Sequence, residues 1–248
     1  MKKALILSVM GGFIISLALV SCKKDEKISD PTPVQPPVNV LTTSLSGLGF
    51  HGGQPSGASF ILPSNIKIIG DITGGYYGGK SFVGDKNKEN FKTYLTSLES
   101  SKLDFTQYGY GTYVNLYMEL KNTSNFSYDF EIPAGTILCN EDPDTTDHDT
   151  TQSGFVIQTL KINIPANETV GILLNTFCLN LHFGCPGPSD RYVFKVVSNN
   201  DQLKKVTNAL KNKNSLNDNL YEIQEILWKI TDGEGISQED IDLMNSWQ

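Results

Sequence analysis

Between Tyr113 and Val197 the apolar residues come in short runs that alternate with polar ones, and after Asn200 the spacing changes to three and four. That change of period most constrains the fold. Alternation marks half-buried strands, and a three-four stripe marks an amphipathic helix. Tyr113–Leu120 is rich in aromatic and branched residues and predicts a strand. Phe126, Tyr128, Phe130 and Ile132 alternate with polar residues and predict another, followed by Thr136–Cys139. Further strands are expected at Phe155–Ile157, Leu160–Ile164, Val170–Leu181 and Tyr192–Val197. Leu203, Val206 and Leu210 then form a helical stripe. Leu220, Ile223, Leu227 and Ile230 form a second, capped by Asn217 or Asp218 and stopped at Asp232-Gly233. Ser237 caps a last short helix through Met244. Strands followed by helices predict an α+β fold: an antiparallel β-sandwich or barrel, then a small C-terminal helical segment.

The N-terminus predicts the compartment. Met1-Lys2-Lys3 is cationic and Ala4–Val20 is almost wholly apolar, which is the order of a secretory signal. Leu19-Val20-Ser21-Cys22 resembles the lipobox of bacterial lipoproteins, a family in which the cysteine becomes the first mature residue and carries the lipid. The resemblance implies a signal peptide over 1–21, lipid attachment at Cys22 and anchoring to the outer membrane. Lys23–Lys27 is similar to the surface-export signals of Bacteroidota lipoproteins, which implies a surface-exposed location. With Pro31, Pro33, Pro36 and Pro37, residues 22–40 read as an extended charged, Pro-rich tether. A Gly-rich β or irregular segment is expected over 41–111, with Ile66–Ile69 as a strand, and the sandwich with its helices over 112–248.

Composition narrows function. The net charge is −7 with no basic block outside the signal and tether, which argues against a nucleic-acid partner. Only His51, His148 and His182 are present, and no phosphate-binding Gly loop or His-Glu-x-x-His motif occurs. No cofactor or metal is expected. The loop Glu141–Asp149 has oxygen ligands suited to Ca²⁺ but lacks the central Gly and terminal Glu of an EF-hand loop, so it reads as a solvated hairpin tip.

The cysteines carry the remaining chemistry. With Cys22 lipidated, Cys139, Cys178 and Cys185 remain, an odd number for an oxidising compartment. No Cys-x-x-Cys pair supports zinc. If Val170–Leu181 is one strand, Cys178 and His182 lie about 13 Å apart, too far for a nucleophile and base to bond directly. On the second helix Gln224 sits at the margin of the apolar stripe with Trp228 one turn on. A buried glutamine there needs its amide satisfied. It is either a hydrogen-bonded edge residue or one bonded covalently to a cysteine.

Phe177-Cys178-Leu179-Asn180 followed by Ile223-Gln224-Glu225-Ile226-Leu227-Trp228 resembles the bacterial thioester domain of surface adhesins, over roughly residues 170–235. That family joins an aromatic-Cys-aliphatic motif to a Thr-Gln-x-Ala-aliphatic-Trp helix by an internal thioester. Here Ile223 and Ile226 stand where the family has Thr and Ala. The resemblance implies Cys178 as the thiol and Gln224 as the acyl donor, with Phe177, Trp228 and Leu227 shielding the bond. It implies covalent capture of a nucleophile on a host or neighbouring-cell surface protein or glycan, a single event rather than enzymatic turnover. With Cys178 so used, Cys139 and Cys185 are left to pair as a disulfide; the competing pairing is Cys178–Cys185. The alternative function is a non-covalent Ig-like lipoprotein that binds glycan or protein through the Gly/Tyr-rich segment.

Overall fold

A computed structural model describes residues 45–51, 53–75, 105–141 and 151–247. The expected signal, lipidated Cys22, the tether and the hairpin tip of the acidic loop lie outside the described residues, as do Tyr76–Gly79 of the Gly/Tyr-rich segment.

Among the described residues ten strands precede three helices. The strands are β1 (Gly57–Ser59), β2 (Ile66–Gly75), β3 (Phe105–Gly109), β4 (Val114–Asn122) and β5 (Tyr128–Ile132). They continue with β6 (Thr136–Asn140), β7 (Gly154–Phe155), β8 (Leu160–Ile164), β9 (Thr169–Cys178) and β10 (Arg191–Ser198). The helices are α1 (Asp201–Leu210), α2 (Leu220–Thr231), entered through a 3-10 turn at Asn217–Asn219, and α3 (Gln238–Ser246). The fold is α+β, as the change of period predicts.

The sheet path runs β10-β2-β4-β9-β7-β6, and β6 pairs again with β10, so the strands close into an antiparallel barrel. Closure removes the exposed edges that an open sheet would present. The barrel is the form taken, not an open sandwich. β1 adds to β10, β3 runs parallel to β9, and β5 and β8 form a separate two-stranded sheet. The described strands of 41–111 join those that follow: β2 pairs with both β4 and β10, and β3 with β9.

Strand alternation divides the apolar residues into two clusters. Val114, Leu116, Met118 and Leu120 of β4 share one face with Ile172, Leu174 and Cys178 of β9, and Phe130, Ile132, Ile162 and Ile164 of β5 and β8 pack on it. Phe155, Phe177, Ile137 and Val196 face the other way and bury the helical stripes Leu203-Val206-Leu210 and Ile223-Leu227-Ile230. Each such side chain contributes about 1.5–3 kcal/mol on burial. Asn122, fully buried at the end of β4, donates to the carbonyls of Phe126 and Ile164 at 2.8 and 3.0 Å, which ties the small sheet to the barrel.

Local chemistry sets the helix ends. Asn200 caps α1 by accepting from the N–H groups of Gln202 and Leu203. Ser237 and Asp240 form a reciprocal capping box at the start of α3. The expected caps of the second helix do not act as such: the 3-10 turn lies where Asn217 and Asp218 were to cap it, and the residue preceding α2, Asn219, makes no side-chain capping bond. At its far end Gly233, at φ +93°, turns the chain so that the Glu234 N–H reaches the Lys229 carbonyl at 2.9 Å.

Candidate functional site

The site forms where β9 ends. Antiparallel partners alternate between pairs that exchange hydrogen bonds and pairs that turn their polar groups outward. The Leu179 N–H donates to the Ser153 carbonyl at 3.1 Å. The neighbouring pair, Cys178 opposite Gly154, therefore turns its N–H and C=O away from β7. On that outer edge β4 begins only at Val114, opposite Thr176, so among the described residues no strand pairs with Cys178 there.

Gln224 takes that place. Its Oε1 accepts from the Cys178 N–H at 2.9 Å, and its Nε2 donates to the Cys178 carbonyl at 2.7 Å. The side-chain amide thus stands in for a missing strand. Both partners are buried, with Gln224 at 1% exposure and Cys178 at 0%. A buried amide without partners costs several kcal/mol, and this two-point contact removes that cost. Sequence reasoning named both residues, and the fold brings them together across 46 positions.

The thiol has its own surroundings. Cys178 Sγ accepts from the Asn180 N–H at 3.2 Å. Burial pushes the Cys178 pKa up to about 12, against the pull of the Trp228 indole N–H and the Asn180 amide, and the Asp232 carboxylate pushes it further up. The indole Nε1 is itself buried without an acceptor in full hydrogen-bonding geometry. The free thiol is thereby held in its neutral form at ordinary pH.

The expected cover divides. Trp228 shares the cluster of Cys178, and its ring lies 5.3 Å from that of Tyr113. Phe177 and Leu227 belong to the other cluster and shield the opposite side of β9. Adjacent residues on a strand point to opposite faces, so Phe177 cannot cover its neighbour's thiol.

Two other expectations are corrected. Cys139 and Cys178 are both free thiols, so neither the Cys139–Cys185 nor the Cys178–Cys185 disulfide forms. Cys139 is held in β6 beside β10, and its Sγ accepts from the Ser153 hydroxyl at 3.7 Å. The strand also stops at Cys178 instead of running to Leu181: the Phe183 N–H turns back to the Asn180 carbonyl at 3.1 Å. His182 consequently leaves the strand line and stacks on Phe50 with ring centroids 3.9 Å apart.

Several residues of the site were not foreseen. Asn180 Oδ1 accepts from the Ser153 N–H at 2.9 Å, and its Nδ2 donates to the Gly49 carbonyl at 3.0 Å. The Gly49 N–H in turn donates to the Leu179 carbonyl at 2.9 Å. Segment 45–51 is thereby strapped across the residues that follow Cys178. Gly49 has φ +57°, and a Cβ there would lie 2.2 Å from the Thr231 carbonyl oxygen at the end of α2. The available signal was the cluster of glycines around Gly49.

Among the described residues no group of three or more His, Cys, Asp or Glu side chains is placed to hold a metal ion, and no helix is long and apolar enough to cross a membrane. Comparison with known proteins found no matching family model, no similar curated protein and no similar solved structure.

Proposed function

We propose that this chain is a lipid-anchored surface protein that captures a nucleophile covalently through a Cys178–Gln224 thioester. The observation that carries the reading is the contact between the Gln224 carboxamide and the Cys178 backbone, with both residues buried. Two residues bound for such a bond must meet in a dry place, and these do.

The chemistry balances without a cofactor. Cys178 Sγ attacks Cδ of Gln224, and the amide nitrogen leaves as ammonia with the thiol proton. An amine on a host or neighbouring-cell protein or glycan then attacks the same carbon and releases the thiol. The Asn180 N–H and the Trp228 indole stand ready to stabilise the sulfur as it departs. Anchoring through Cys22 would place this single-use device at the outer membrane surface.

The test is an intact mass of the protein starting after residue 22, purified without reductant. Loss of one ammonia, abolished by Cys178→Ala and converted by methylamine to an N-methylamide one CH₂ heavier than the full mass, is the expected result. A full mass unchanged by methylamine overturns the reading. Gln224 is then a purely structural clamp, and reversible binding of glycan or protein becomes the function to pursue.

A further inference from the structure

Three connections form one rim of the barrel. The Thr123 N–H donates to the Asn65 carbonyl at 2.8 Å, and the Asn167 N–H to the Ser124 carbonyl at 3.1 Å. Residues 60–65, 123–127 and 165–168 are thereby held together where β2 and β9 begin and β4 ends. Cys178 closes the other end of β9, so about 30 Å of strand separates this rim from the Cys178–Gln224 contact.

The rim is apolar where it meets solvent. Ile61, 82% exposed, is the most exposed large apolar side chain among the described residues, and Phe126 is 64% exposed. Across the three connections only Glu168 is charged, whereas 19% of the chain is. Turns so poor in charge lose little hydration on entering an apolar phase, and their exposed side chains gain from it. Beside the rim Ile66, Ile68 and Leu120 face the core, so Lys67 and Lys121 face out, directly opposite each other on β2 and β4. Like charges so placed destabilise a sheet. Among the described residues neither lysine forms an ion pair, not even with Glu119, two positions away on β4. An anionic surface against the rim would offset their repulsion.

Resting on the lipid-anchored reading, we propose that this rim docks on the membrane that holds Cys22. Ile61 and Phe126 enter the boundary between headgroups and acyl chains, and Lys67 and Lys121 meet anionic headgroups. The docked barrel turns its Cys178 end away from the bilayer. The anchor alone does not give that orientation. Leu45 lies beside Gly233 and Gly49 is fastened to Leu179, so the chain leads off toward Cys22 from the Cys178 end. From Cys22 to Leu45 it reaches about 80 Å at most, which exceeds the length of β9 and lets the far rim meet the bilayer.

The experiment uses the full chain, extracted in detergent and reconstituted into vesicles of phosphatidylethanolamine and phosphatidylglycerol with brominated acyl chains. Flotation with the vesicles reads the anchor. Quenching by bromine reads the rim, with tryptophan placed singly by Ile61→Trp, by Phe126→Trp or, on α2, by Tyr221→Trp. All three positions are exposed, so the fold tolerates the change, and the signal of the native Trp228 and Trp247 is subtracted. Quenching is expected at 61 and 126 and not at 221. Added to Phe126→Trp, Lys67→Gln and Lys121→Gln should each lower the docked-to-free ratio about fivefold. A floated chain quenched at 221 as strongly as at 61 and 126 overturns the inference and leaves the anchor standing. A floated chain quenched at none of the three does the same, and the rim is then a surface for a protein partner. Quenching at 126 that neither lysine variant reduces also overturns it. A native chain that does not float removes the anchor and the docked rim together.

Discussion

The carboxamide of Gln224 and the backbone of Cys178 exchange two hydrogen bonds, at 2.9 and 2.7 Å, where a neighbouring strand would otherwise pair. Gln224→Ala leaves a buried N–H and a buried C=O without partners. Each orphaned group costs about 1–3 kcal/mol, so a loss of roughly 2–5 kcal/mol is expected in urea unfolding. Gln224→Glu retains an acceptor for the N–H but sets an oxygen against the Cys178 carbonyl, and it has no ammonia to lose. It should be destabilised and should show no mass deficit.

Gly49→Ala tests the strap. The added methyl would meet the Thr231 carbonyl at 2.2 Å on a backbone at φ +57°, which side-chain-bearing residues rarely adopt. Backbone strain of about 1–3 kcal/mol is expected. Hydrogen exchange should speed at the Gly49 and Asn180 amides while β4 and β10 stay protected.

Alkali should destabilise the fold before acid chemistry matters at this site. Burial raises both Cys178 and Tyr192 from ordinary values of 9.0 and 10.0, Cys178 to about 12. A group whose folded pKa lies above its unfolded value favours the protonated native state. Its contribution is complete below the unfolded value and is lost as pH rises toward the folded one. Thermal midpoints should therefore fall from about pH 9 upward. In chain freed of any thioester by methylamine, native Cys178 should alkylate far more slowly at pH 8 than in urea-unfolded chain.

Ser237→Ala removes half of the capping box that starts α3, in which Ser237 and Asp240 exchange bonds at 3.0 Å. A loss of about 1 kcal/mol is expected by chemical denaturation. Asp240→Ala should cost more, because it also unpairs Lys229, whose Nζ lies 2.9 Å from Oδ1. Although burial opposes it, Lys229 and Ser237 hold Asp240 below the usual carboxylate range, so its contribution fades as pH falls through that lowered value.

Local pattern made most elements readable. β8 matches its alternating run from Leu160 to Ile164, and the buried faces of α1 and α2 are the stripes that periodicity marks. β3 was not readable, because Phe105–Gly109 is half-exposed and carries no alternation; its place comes from pairing with β9, far along the chain. Closure by β10 and β6 is likewise a non-local fact. The meeting of Cys178 and Gln224 was legible only through a family resemblance, since periodicity shows Gln224 as a marginal position and nothing more. Phe177 was misplaced by treating sequence neighbours as spatial cover on a strand, where they face apart.

The strap over the pair has a mechanical consequence. Leu45, the first described residue, packs in the helix-side cluster, and Gly49 is fastened to Leu179 and Asn180 before the chain reaches β1. Tension applied from the N-terminal side is felt by these few hydrogen bonds before it reaches any barrel strand. They would break in succession, and the residues beside Cys178 would be uncovered while the barrel still stood. If the chain is anchored through Cys22 as proposed, pulling is a way of opening.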